Sequence, residues 1–171
     1  MGNLPEALIG EFIDAAVQDR VRAERLLSAH PDLIDARWIH GETVLHFLAV
    51  EGFTDAVRFL AERGADVNAV NEFGDPPLID TAVLEMTDAA EVLLSHGANP
   101  NARSPTRDCP LDCAVRSGNA RLVALLLEAG ANGLYVTDLG ESVFDALPQS
   151  GEERASVVAI LAQHGIVPDA S

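Results

Sequence analysis

The sequence contains no lysine. All eleven basic residues are arginines, against 27 Asp and Glu, which gives a formal net charge of −16 over 171 residues. With so few cations the chain is unsuited to sequence-independent DNA binding, because affinity for phosphate comes from Lys and Arg. It is equally unsuited to anionic lipid surfaces. Aromatic residues make up only 5%, so Leu, Val and Ala must build the core. Two cysteines are too few for a disulfide framework and fit a reducing cytoplasm. No apolar run exceeds six residues, Leu122–Leu127 being one, where a membrane span needs about 20. The opening stretch Met1-Gly2-Asn3-Leu4-Pro5-Glu6 lacks the basic-then-apolar pattern of a secretory signal. The exclusive use of Arg points to a GC-rich, bacterial genome, and the expected localisation is cytoplasmic.

Constellations for chemistry are also missing. The histidines are His30, His40, His46, His96 and His164, and none stands at zinc-ligand spacing from a cysteine or another histidine. There is no His-Glu-x-x-His, no glycine-rich phosphate loop and no Gly-x-Ser-x-Gly. Cys109 and Cys113, four apart, share a helix face and read as small buried fillers. No catalytic residue, metal ligand or cofactor is therefore assigned, and an enzyme is not expected.

What the chain does have is a period. Phe12, Leu45, Leu78, Leu111 and Phe144 are each 33 residues apart, and Gly64, Gly97 and Gly130 keep the same step. Each of these glycines is followed by Ala and then Asp or Asn. A length of 171 corresponds to about 5.2 such units. The 48% apolar content is enough for a packed array. Within a unit the pattern is two short helices and an extended loop. Thr43 to Glu51 reads as one apolar-rich helix. Ala56, Val57, Phe59 and Leu60 form the stripe of the next, with Thr54 as its cap and Gly64 as its stop. Thr87 takes the corresponding place one unit later. In the last unit Pro148 is expected to end the first helix early. Ser150 and Glu153 form a capping-box pattern for the final helix, and Gly151 to Gly165 is two residues longer than Gly118 to Gly130.

This pattern resembles the ankyrin repeat, whose 33-residue unit joins a β-turn to two antiparallel helices opened by Thr-Pro-Leu-His. Thr43-Val44-Leu45-His46 approaches that tetrapeptide. Pro76-Pro77-Leu78-Ile79, Cys109-Pro110-Leu111-Asp112 and Ser142-Val143-Phe144-Asp145 keep its phase. Gly64-Ala65-Asp66-Val67-Asn68-Ala69 matches the end of the unit, and Gly97-Ala98-Asn99-Pro100-Asn101-Ala102 is close to it. The resemblance implies an all-α ankyrin solenoid over residues 1–167, followed by a short tail at 168–171. Its units are about 5–37, 38–70, 71–103, 104–136 and 137–167, the first and last being degenerate caps. It also implies that His46 is structural, its ring hydrogen-bonding nearby backbone. His96 and His164 sit at helix C-termini, where the dipole suits them.

The resemblance further implies a concave binding face built from turn tips and first helices. Carried over residue by residue, it comprises Arg37, Ile39, His40, Glu42, Val50 and Glu51, then Val70, Glu72, Phe73, Asp75, Val83 and Leu84. Arg103, Pro105, Thr106, Asp108, Arg116 and Ser117 follow, with Val136, Asp138, Leu139 and Glu141 at the far end. Ile39, Phe73 and Leu139 are apolar at successive tips, with Trp38 beside the first, and such a row rimmed by charge marks an interaction surface. Residues 101–121 hold Arg103, Arg107, Arg116 and Arg121 against Asp108 and Asp112. Arg107 fills the slot of Gly41, Gly74 and Gly140, and with Pro105 it predicts an altered turn at 104–108. The implied function is non-catalytic binding of another protein, a basic one by charge, with the free chain a monomer. Inhibitor, immunity protein and chaperone are roles that fit. The rival readings are a self-associating repeat unit and an enzyme using the groove.

Overall fold

Some helices start where a side chain accepts from a first-turn backbone N–H, and others start without one. The computed structural model describes residues 4–105, 109–136 and 140–168. Among them run α1 (Glu6–Gln18), α2 (Arg20–Ala29), α3 (Val44–Val50), α4 (Thr54–Ala61) and α5 (Pro77–Val83). α6 (Thr87–Ser95), α7 (Pro110–Ser117), α8 (Ala120–Glu128) and α9 (Glu152–Gln163) complete the set. Asp19 accepts from the Arg22 N–H at 3.0 Å to cap α2, and Asn119 accepts from Leu122 N–H at 3.0 Å to cap α8. α5 and α7 open on Pro77 and Pro110, at the position where a missing N–H costs nothing.

Two expectations about caps are corrected. Thr54 and Thr87 are the first helical residues of α4 and α6, one position past the caps Phe53 and Met86. Their hydroxyls bond Gly52 and Glu85 carbonyls instead, each at 3.4 Å. The Ser150–Glu153 box does not form, because Gly151, at φ 103°, is the N-cap of α9 and no side chain bonds there. The first helix of the last unit is shortened further than Pro148 alone requires. Ser142 donates from its N–H and its hydroxyl to Asp145 at 2.7 and 2.8 Å, and the segment is a run of turns. The final helix has 12 residues where α8 has nine, which takes up the extra length.

The helices stack in two rows. α3, α5 and α7 pack in sequence as the inner row, while α4, α6, α8 and α9 form the outer row, with α1 against α2, α3 and α4. Phe12, Leu45, Leu78 and Leu111 are all buried in the shared core, and Phe144 is half-buried at its end. Isolated antiparallel bridges, Arg37 with Thr43 and Val136 with Ser142, close two of the turns. This is an all-α solenoid of stacked helix pairs.

The loops leaving the outer helices are joined laterally by a ladder that the period alone did not reveal. Asp35 accepts from Asp66 N–H at 2.9 Å. Asn68 accepts from Asn99 N–H at 2.8 Å and donates to the Gly97 carbonyl at 3.0 Å. Asn101 repeats the pair, accepting from Asn132 N–H at 2.7 Å and donating to the Gly130 carbonyl at 3.0 Å. The next residue in that column is Leu134, 74% exposed, which can make neither bond.

Candidate functional site

The loop tips are positioned by backbone hydrogen bonds, and His46 links two of them. Thr43 N–H and its hydroxyl reach His46 Nδ1 at 3.1 and 2.8 Å. Nδ1 therefore accepts, and Nε2 carries the proton it gives to the Asp75 carbonyl at 3.1 Å. Burial holds the imidazole below its ordinary pKa. Arg37 fastens the same two tips, its Nη1 donating to the Gly41 carbonyl at 2.6 Å and the Val70 carbonyl at 2.7 Å. The Glu72 N–H reaches the His40 carbonyl at 3.0 Å. Gly41, at φ 70°, tolerates no Cβ, which would lie 2.8 Å from Glu72 Cγ.

On this frame Ile39 and Phe73 stand 58% and 51% exposed, and the His40 ring lies 5.9 Å from that of Phe73. Trp38 turns inward instead, half-buried with its ring 5.7 Å from Phe47. At the far end of the inner helices Leu84 is 51% exposed and Glu51 is exposed, and at the tip Glu72 is exposed. Glu42 is half-buried, and burial, reinforced by the nearby charge of Asp80, raises its carboxyl above the usual range.

Several members of the expected face are placed differently. Asp75 is 1% exposed, since its backbone is drawn under the tip by Asn71, whose Oδ1 takes the Asp75 N–H at 3.0 Å. It is not a surface contact. Arg116 is exposed, but its guanidinium is bonded to the buried Asp112 at 2.8 Å, and Asp112 also accepts from Tyr135 at 2.5 Å. Arg121 bonds Asp88 and Glu91 at 2.6 and 2.7 Å. Two of the four arginines of that segment are thus paired with neighbouring carboxylates. Arg103 and Glu141 are exposed. Arg107, Asp138 and Leu139, and with them the altered turn and the third apolar tip, lie outside the described residues. Cys109 is buried, with its thiol pushed up by burial, and Cys113 is half-buried.

Sequence reasoning missed Glu85. It adopts a left-handed φ of 58° in the column where Gly52, Gly118 and Gly151 also have positive φ. The signal was legible, as a glutamate standing between Gly52 and Gly118 in that column. Among the described residues no three His, Cys, Asp or Glu side chains are grouped to hold a metal ion, and no helix is long and apolar enough to cross a membrane. An open hollow of about 460 Å³ lies on the other side, lined by Leu27, Pro31, Ile34 and the bonded pair Glu24 and Arg63.

The family model for ankyrin repeats in three copies matches residues 12–104, and that for a single ankyrin repeat matches residues 107–138. The chain belongs to the ankyrin-repeat family. Ankyrin repeats are generally protein–protein interaction modules, typically without catalysis. A serine/threonine-protein kinase of Arabidopsis thaliana, VIK, is 39% identical over 62 residues, which is 36% of this chain. The match spans 14% of that kinase, so the kinase activity in its name belongs to that protein.

Proposed function

We propose that this ankyrin array binds one partner protein through the tips and inner helices of its concave face. The partner presents a basic surface, and the array covers it as an inhibitor, immunity protein or chaperone would. The observation that carries the reading is the pair Ile39 and Phe73, large apolar side chains left more than half exposed at adjoining tips. Side chains of that kind in a polar rim supply most of the energy of an interface. The net charge of −16 supports a basic partner, because opposite potentials speed encounter. The five units act together as one array in this reading, and its site of action is the cytoplasm.

The test is capture of partners from native lysate, with bound proteins identified by mass spectrometry. The control bait carries Ile39→Asp, Phe73→Asp and Leu139→Asp, shown folded by circular dichroism. A basic protein recovered by the parent and lost by the variant is the expected result. Equal recovery by both baits rejects the concave face.

A further inference from the structure

The second and third units leave a strip of mixed character open. Ile39 and Phe73 expose apolar surface at the tips, and Val83 and Leu84 expose it at the end of α5. Exposed carboxylates flank them at Glu51, Glu72 and Glu85. The nearest arginine at the tips, Arg37, is turned to two backbone carbonyls. Apolar side chains are thus exposed at both ends of α5, whose residues 77–82 are buried, and exposed carboxylates lie near them in the chain.

Glu85 sharpens the picture. A left-handed backbone disfavours any residue with a Cβ, and sister units place glycine at this point. Glycine is the more stable choice there, yet the chain sets a carboxylate next to Leu84. Backbone donors at the tip are occupied: Glu72 N–H by His40, Phe73 N–H by the Asn71 side chain, and Gly74 N–H by the Asn71 carbonyl. An extended peptide would find no ladder to join at this tip, which leaves docking by side chains, the mode of a helix in a groove.

On the reading that the concave face binds protein, we infer that the strip from Ile39 and Phe73 to Glu85 receives a cationic amphipathic helix of the partner. The apolar ridge of that helix lies over Ile39, Phe73 and Leu84, and its Arg or Lys side chains meet Glu51, Glu72 and Glu85. Charge complementarity selects it over an acidic helix, and the apolar ridge selects it over a merely basic segment.

The probe is a fluorescein-labelled helical peptide of about 18 residues, with Leu at i, i+3, i+4 and i+7 and Arg on both flanks. It is compared with a scramble of identical composition and with its Arg→Glu counterpart, by anisotropy against the full chain. The basic amphipathic peptide should bind at least about tenfold tighter than either control. Phe73→Ser with Leu84→Ser, and separately Glu51→Gln with Glu85→Gly, should each weaken it about tenfold. Glu152→Gln with Glu153→Gln on α9 changes the charge equally and should leave it within about twofold. Glu85→Gly alone should raise Tm while weakening the peptide. Equal binding of the scramble overturns the helix, and equal loss in the α9 variant overturns the strip. A lower Tm for Glu85→Gly overturns the strain. The face itself is judged separately. A partner lost by the tip variant with no peptide preference removes the helix and keeps the face, whereas equal partner recovery removes the face.

Discussion

Leu78 lies in α5 between α3 and α7, buried to 1% exposure. Truncation to Ala should cost about 2–5 kcal/mol, the usual range for a buried leucine whose cavity cannot close. Urea unfolding checks it, and a midpoint unchanged from the parent would mean the register is wrong. His46 gives a pH prediction. Its folded pKa is held down, by burial first, so the unfolded chain takes up a proton at a higher pH than the folded one. The contribution of His46 to stability is therefore constant well above the ordinary imidazole value of about 6.5 and falls as pH drops through it. Urea midpoints at pH 7.5 and 5.5 should show the fall, and His46→Asn should reduce it. An equal fall in both proteins would assign it elsewhere. These two residues were readable in advance, because a 33-residue column of leucines and a threonine-to-histidine tetrapeptide encode their surroundings. The burial of Asp75 was not. Its neighbours in the period, Glu42 and Glu141, remain partly or fully exposed, whereas the Asp75 backbone is held by Asn71 and His46.

At the scale of the element, the helices were legible and their first residues less so. A threonine ahead of an apolar stripe is consistent with the cap or with the first helical position. Gly52 and Glu85, both at positive φ, turn the chain so that Phe53 and Met86 take the cap. The asparagines were visible as part of the repeat ending, but their lateral bonds depend on stacking that no single unit possesses. Asn101→Ala removes two of those bonds and should cost about 1–3 kcal/mol, at roughly 0.5–1.5 kcal/mol each. Leu134→Ala, in the same column, removes exposed surface only and should stay within about 0.5 kcal/mol. Equal losses for the two variants would mean the ladder contributes nothing beyond the side chains' bulk. Thermal or urea denaturation of both proteins decides it.

Over the whole molecule, acidity was the plainest feature of the sequence, and the structure adds how the arginines are disposed. Arg37, Arg63, Arg116 and Arg121 are each bonded within the array, whose net charge is −16. Association with a basic partner should slow as salt rises, and stopped-flow rates at 50 and 300 mM salt should differ by several-fold or more. An on-rate indifferent to salt would dissociate the charge from recognition. The ladder has a consequence for growth as well. Asn68 and Asn101 present the same donor and acceptor to the unit that follows. A duplicated 33-residue segment inserted between them would find both ends of its loop already matched. The array can therefore lengthen by copying without redesign at the seam. The tips carrying Ile39 and Phe73 have no such identity from unit to unit, so a longer descendant would keep those two tips and gain a different one beside them.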